Sequence, residues 1–317
     1  MNSPTAPDRL TPEAVAQLKQ RSIKSWLLVS TFQLLAITPH AIRQGLGRFL
    51  GLMGRIFIRR RRKIVQQNLA LCFPEKTVAQ REQLLVLHFR ALAQSVVDRS
   101  VLWFGTPAQI RALVHVKGRH HVDEALKNKN RLMLLAPHFV GLDAAASRLT
   151  LDGPRGATLY SAQSDPDVDA LVRLGRGRFH EVNLIHRRGG VRTLLREIEQ
   201  GAPIYYLPDM DFGMRGAVFA PFFGMMAATQ TAPAYLAKQF NMTVLPVLCF
   251  WNAKTGHYLA EFLPALVDFP GQDDISSATA RLNTLLEQWV RRQPEQYYWV
   301  HRRFKTRPAG EKNPYTP

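Results

Sequence analysis

His138 and Asp143, in Ala-Pro-His-Phe-Val-Gly-Leu-Asp over 136–143, are the residue pair best suited to chemistry in this chain. An imidazole takes up and returns a proton near neutral pH, its ordinary pKa being about 6.5. A nearby carboxylate fixes the tautomer and stabilises the imidazolium as it forms, so the pair can act as a general base on a hydroxyl. Five residues of regular helix turn through about 500°, which leaves the side chains roughly 140° apart. They meet only if His138 lies in a non-helical turn ahead of the helix, which Pro137 and Gly141 permit. The spacing is weak support by itself: ten histidines and 24 acids give about one such match by chance. A histidine capping a helix is the plain structural alternative.

Two further loops offer binding groups. Tyr-Leu-Pro-Asp-Met-Asp-Phe-Gly-Met-Arg, which opens the 206–224 segment, presents Asp209, Asp211 and Arg215 in a Gly-rich turn. An arginine there suits bidentate anion binding. Arg187 and Arg188, followed by Gly189 and Gly190, form a second loop able to hold a phosphate. Asp209 and Asp211 have no histidine or third acid beside them, and Cys72 and Cys249 stand at no metal spacing, so no metal is expected. The chain has no Gly-x-Ser-x-Gly elbow and no Gly-x4-Gly-Lys-Ser/Thr loop. His180-Glu181 is followed by a histidine at 186, two residues too late for a His-Glu-x-x-His zinc site.

Short apolar runs alternate with helical stretches in the part of the chain that must position these residues. Strands are expected at Arg131–Ala136, Ala157–Tyr160, Glu181–His186, Pro203–Leu207, Thr243–Trp251 and His257–Leu263. Helices are expected at 78–104, Leu142–Leu149, Val191–Gln200, Thr229–Phe240 and Ser276–Arg292. This alternation argues for an α/β fold with a buried central sheet. His138 then falls where a strand ends and a helix begins, the usual place for ligands in open α/β sheets.

The N-terminal part reads differently. Residues 1–25 are polar and expected to be loose, with a short helix from Pro12 to Gln20. Trp26–Thr38 is an apolar run of 13 residues, shorter than the roughly 20 needed to span a bilayer. In Gln44–Ile58 and just beyond it, Arg48, Arg55, Arg59 and Arg62 recur at spacings that share one helical face, and a run of basic residues over 59–63 follows. A basic amphipathic helix beside a short apolar run reads as a membrane-surface anchor, drawn to anionic lipid of a cytoplasmic leaflet. Division into residues 1–63, the membrane-associated helices with their polybasic end, and 64–317, a catalytic domain, follows.

Composition sets the outer bounds. Lys and Arg number 42 against 24 Asp and Glu, a net charge of +18, which favours polyanionic partners. Hydrophobic residues at 46% exclude a disordered chain, and two cysteines exclude a disulfide scaffold. A mean hydropathy of −0.15 excludes a polytopic membrane protein. No nucleic-acid-binding motif appears, so nucleic acid is not an expected partner.

Four stretches together resemble the lipid A biosynthesis (lauroyl/myristoyl) acyltransferases, within the broader His-x4-Asp/Glu acyltransferases. They are Arg-Arg-Arg-Lys-Ile-Val-Gln-Gln-Asn-Leu-Ala-Leu-Cys-Phe-Pro-Glu at 60–75, the His-x4-Asp segment, Pro-Asp-x-Asp-x-Gly-x-Arg at 208–215, and Pro-Glu-Gln-Tyr-Tyr-Trp-Val-His-Arg-Arg-Phe-Lys-Thr-Arg-Pro at 294–308. The resemblance runs from about Trp26 to Arg307. It implies a glycerolipid-acyltransferase-like central mixed sheet flanked by helices, with an N-terminal helical membrane anchor. It also implies an inner-membrane enzyme facing the cytoplasm. The implied donor is an acyl carrier protein thioester, and the acceptor a hydroxyacyl chain of a Kdo-bearing lipid A precursor. His138 and Asp143 take the catalytic positions, with Arg187, Arg188, Asp209, Asp211 and Arg215 left as substrate-binding candidates and no cofactor required. The acid is commonly Glu in this family and Asp in glycerolipid acyltransferases. The Asn before and Ser after the histidine that are usual in the latter are replaced by Pro137 and Gly141. A lysophospholipid or ornithine-type lipid is the alternative acceptor.

Overall fold

The computed structural model describes residues 10–179 and 182–316. Five helices lead: α1 (Pro12–Arg21), α2 (Ile23–Ile37), α3 (His40–Phe57), α4 (Arg59–Cys72) and α5 (Val78–Phe104). Then come α6 (Pro107–Leu113), β1 (Val114–Lys117), α7 (Arg119–Lys127), β2 (Leu132–Leu135), α8 (Leu142–Asp152), β3 (Ala157–Tyr160), α9 (Pro166–Arg176) and β4 (Asn183–His186). The chain continues through α10 (Val191–Glu199), β5 (Ile204–Tyr206), β6 (Ala217–Phe222), β7 (Met225–Gln230), α11 (Ala232–Phe240), β8 (Thr243–Trp251), β9 (Tyr258–Phe262) and α12 (Ile275–Arg292).

Seven strands form one sheet in the order β1-β9-β8-β2-β5-β3-β4. All neighbours are parallel except β8 and β9, which form the antiparallel pair. Strand residues alternate between two apolar layers. Leu132 and Leu134 of β2 pack with α5, α8 and α9, whereas Met133 and Leu135 pack with α4, α11 and α12. Each such side chain taken fully out of water stabilises the fold by about 1.5–3 kcal/mol. A strand buried on both faces needs the unbroken apolar run that the sequence shows. The expected mixed sheet flanked by helices is thus present.

Several expectations are corrected. Thr229 lies in β7 rather than opening a helix, and the β6–β7 hairpin departs from expectation; Pro221 and its Gly224 turn disguise it. The short helix expected at Pro12–Gln20 is present as α1, started by Thr11 as N-cap and Pro12 in the first turn, and α2 begins already at Ile23 where a loose chain is expected. Residues 1–9 and Glu181, the first residue of the expected β4, lie outside the described residues, as does His180. The shared face of Arg48, Arg55, Arg59 and Arg62 does not form, because the helix breaks at Ile58 (φ −88°, ψ 59°) and the last two belong to α4. The expected boundary at 63/64 falls within α4. Among the described residues no helix is long and apolar enough to cross a membrane.

α3 is turned inside out for a helix in water. Gly47 and Gly51 face α5 so closely that a Cβ on Gly51 would lie 2.8 Å from the Arg90 Cα. Arg43 is buried against Asp98. Ile42, Phe49, Leu50, Leu52, Ile56 and Phe57 face outward, alongside Ile23, Trp26, Leu27, Leu34 and Ile37 of α2.

Candidate active site

β2 and β5 are parallel neighbours with Leu135 paired to Tyr206, and His138 and Asp209 each stand three residues past that pair. Matched register therefore delivers a histidine and a carboxylate to one point at the carboxyl edge of the sheet. His138 occupies a tight turn, with Phe139 N donating to Pro137 O at 2.7 Å, and α8 begins only at Leu142. Gly141 is required at this turn, because a Cβ there would lie 2.6 Å from the Cys249 carbonyl of β8.

His138 Nδ1–H donates to Asp209 Oδ1 at 2.7 Å, and the His138 backbone N–H donates to Asp209 Oδ2 at 3.0 Å. Both carboxylate oxygens thus hold the same residue, which fixes the ring and its tautomer and leaves Nε2 as the basic nitrogen. Asp209 is buried, and its side chain is 1% exposed against 17% for His138. Burial pushes the Asp209 carboxyl up, but the neighbouring His138 and the hydrogen bonds from His138 and Tyr297 outweigh it, so the group lies below its ordinary range.

A C-terminal segment clamps the turn. Tyr298 N donates to His138 O at 2.9 Å, Val140 N to Gln296 O at 2.9 Å, and Phe139 bridges Tyr297. The buried Gln296 amide exchanges two 2.7 Å hydrogen bonds with the Trp251 backbone at the end of β8. This is the 294–308 segment, in which aromatic and basic residues interleave. Much of it is interior: Tyr297, Trp299, Arg303 and Phe304 are buried.

Asp143 is placed otherwise than its spacing suggests. Its Oδ2 accepts from Arg99 of α5 at 2.8 Å and its Oδ1 from Arg176 of α9 at 2.9 Å. Among the described residues no hydrogen bond joins it to His138. Burial raises its carboxyl, and Arg176 and Arg99 overcome this to leave it well below the usual carboxylate range. Asp143 ties α8 to α5 and α9, while Asp209 holds the imidazole.

The remaining candidates divide. Asp211 is buried and fully engaged: Gly213 N and Thr306 Oγ1 donate to Oδ1, and Thr306 N to Oδ2. Its own N–H donates to His301 Nε2 at 2.9 Å. Burial, with Arg303, His138 and Lys305 nearby, lowers His301 to about 3. Arg187 follows β4 and lies 3.8 Å over the Phe212 ring, its Nε buried without a hydrogen-bond partner among the described residues. Arg188 and Arg215 are exposed. No group of three or more His, Cys, Asp or Glu is placed to hold a metal among the described residues. Sequence reasoning took Asp209 for a substrate contact and passed over Tyr297, Arg99 and Arg176. The available signal was Pro208-Asp209 directly after an apolar strand, but its use requires knowing that β5 lies beside β2.

The sequence model described as bacterial lipid A biosynthesis acyltransferase matches residues 12–306. The chain is 30% identical to the lipid A biosynthesis lauroyltransferase of Escherichia coli (strain K12), over 94% of this chain and 96% of that one. It is 30% identical to the palmitoleoyltransferase of the same strain, covering 92% and 94%. Its identity to that strain's myristoyltransferase is 32%, covering 92% and 90%.

Proposed function

This chain belongs to the bacterial lipid A biosynthesis acyltransferases, which makes it an acyltransferase of lipid A biosynthesis, and from that premise we propose the particulars of its reaction. It moves a fatty acyl group from an acyl carrier protein thioester to a hydroxyl on a hydroxyacyl chain of a Kdo-bearing lipid A precursor. His138 is the base. The observation that carries this reading is the two-point hold of Asp209 on His138, which engages Nδ1 and leaves Nε2 as the basic nitrogen.

The lipid hydroxyl attacks the thioester carbonyl while Nε2 takes its proton. Asp209 stabilises the imidazolium that forms. The tetrahedral oxyanion needs a donor, and losing one typically costs about 10²–10³-fold in rate. Arg187, whose Nε has no hydrogen-bond partner among the described residues, is the residue we assign. Collapse expels the carrier thiolate, which recovers the proton from Nε2, and the new ester remains on the lipid. Asp143 acts as a positioning residue through Arg99 and Arg176, not as a proton partner. Arg188 and Arg215, exposed near the site's loops, are left to meet anionic groups of donor or acceptor.

The outward apolar face of α2 and α3 supports membrane-surface docking. Exposed apolar residues on two neighbouring helices form the kind of patch that marks a membrane or protein contact. A helix with that face buried at the headgroup boundary needs no span. We place the protein on the cytoplasmic side of the inner membrane, where carrier thioesters and anionic lipid meet.

The test is transfer from a mixture of acyl carrier protein thioesters to a tetraacyl Kdo-lipid A precursor and, separately, to a lysophospholipid, read by product mass. Gain on the lipid A precursor, absent in His138→Ala, is the expected result. Gain on the lysophospholipid alone would sink the proposed acceptor.

A further inference from the structure

Outside the His138 pocket, the most concentrated charge lies in the first turn of α4. Arg59, Arg60, Arg61, Arg62 and Lys63 follow one another there, no acid shares the turn, and Ile58 at the N-cap makes no side-chain bond. That arrangement is unfavourable on its own terms. A helix N-terminus already carries about half a positive charge, which repels cations placed on it. The terminal carbonyls of α3, which ends at the same Ile58, offset only part of it. Among the described residues none of the five forms a salt bridge. So much uncompensated charge points to an anion supplied from outside the chain.

Its position narrows the anion. Arg61 donates to the Val300 carbonyl at 3.0 Å, and Asn68 of the same helix donates to the carbonyls of Trp299 and His301. α4 thus holds one side of the segment whose Tyr298 N–H holds His138 on the other. Tyr298 and Val300 are two residues apart, at most about 7 Å of chain. Immediately before the basic turn, Leu52, Ile56, Phe57 and Ile58 are exposed. The apolar shoulder leads along the chain into the cations, and Arg61 ties them to the segment that holds the His138 turn. This layout fits an amphiphile with an anionic headgroup, whereas an acidic carrier protein has no use for the apolar shoulder.

We infer that the basic first turn of α4 is the headgroup site for the acceptor. It binds phosphate on the lipid being acylated and so sets that lipid's hydroxyl at His138, beyond any general attraction to anionic membrane. This rests on the acceptor class proposed above.

The variant R59Q/R60Q/K63Q removes three of the charges and keeps Arg61 on the Val300 carbonyl and Arg62 with its buried Nε. Transfer is measured in mixed detergent micelles, so that attraction to a bilayer plays no part. The acceptors are the tetraacyl lipid A precursor with its phosphates and the same lipid after phosphatase treatment. The expected result is a KM for the phosphorylated lipid raised at least about tenfold, equivalent to about 1.4 kcal/mol, with kcat and the thioester KM changed less than about twofold. On the dephosphorylated lipid the two proteins should behave alike, and R59K/R60K should keep the original KM. An unchanged KM for the phosphorylated lipid would overturn the inference. So would an equal loss on both lipids, or a rise confined to the thioester, which would give the patch to the carrier protein. Should the triple variant melt early, the salt dependence of the unaltered protein decides. A KM that climbs with salt only for the phosphorylated lipid supports the site, and parallel curves reject it. An unaltered protein that acylates neither lipid would instead overturn the proposed function.

Discussion

Asp143 and Asp209 are both buried, both close in the fold to the turn that carries His138, and both held below the ordinary carboxylate range, yet their company is opposite. Asp143 faces two arginines from two helices. Asp209 takes one hydrogen bond from the His138 imidazole and one from its backbone, with the Tyr297 hydroxyl as a further donor. A carboxylate locked between permanent cations has little charge left to offer a proton in transit. A carboxylate whose main partner is titratable is strengthened when that partner becomes charged. The residue that shares a motif with the histidine holds helices together, and one 71 positions on in sequence works with it.

The largest effects test this division directly. Asp209→Asn should lower kcat by about 10³-fold or more, about 4 kcal/mol, with the melting temperature little changed, because an amide cannot hold the same tautomer or stabilise the imidazolium. Asp143→Ala should act on stability instead. Removing one partner of a buried ion pair costs about 3–5 kcal/mol. Arg99 and Arg176 are 28% and 29% exposed and regain some water, so about 2–4 kcal/mol is expected by denaturant unfolding. The activity that survives should track the folded fraction. A normally stable Asp143→Ala protein with a collapsed kcat would reverse the assignment of the two carboxylates.

The sheet that makes this division possible was largely legible in sequence. β3 and β8 fall where the apolar runs place them, and β2 and β5 are each trimmed at the ends. β2 and β5 are buried throughout and β8 after its first residue, so their apolar runs are unbroken, whereas β3 carries the half-buried Thr158. The hairpin β6–β7 was missed because Pro221 and small residues hide its alternation. In the candidate site His138 and Asp209 were both legible as candidates, but their pairing was not. Strand order decides which carboxylate meets the histidine, and a parallel sheet reached through crossover helices leaves no local trace of that order. Asp143 carried the motif and Asp209 carried the register.

Acid should separate the two regions. His301, beside the Asp209 pocket, sits at about 3 in the fold against an ordinary 6.5, so between those values the unfolded chain binds the extra proton. Stability is therefore full above about pH 6.5 and falls as pH drops towards 3, by about 2 kcal/mol between pH 6.5 and 5. His301→Gln should flatten that stretch of the curve. Asp143 is depressed in the fold, so its contribution is present above about pH 4 and fades only below it. Asp143→Asn should flatten the curve there and leave the higher window alone. Coincident changes in both variants would mean that the two regions open as one unit.

The smallest effect probes the pocket alone. Tyr297 is buried and its hydroxyl donates to Asp209, drawing off part of the charge that the carboxylate offers His138. Tyr297→Phe removes that competitor, so Asp209 should hold the protonated imidazole more tightly. The imidazolium of the transfer step is then better stabilised, and kcat should rise by no more than about fivefold, within about 1 kcal/mol. Asp143→Asn should leave the kcat of the folded protein unchanged, since no hydrogen bond among the described residues joins Asp143 to His138. A kcat that moves with Asp143 and not with Tyr297 would mean that the imidazole feels the helix-binding carboxylate through space more than the one it touches. That would return the proton chemistry to the pair that the sequence spacing first suggested.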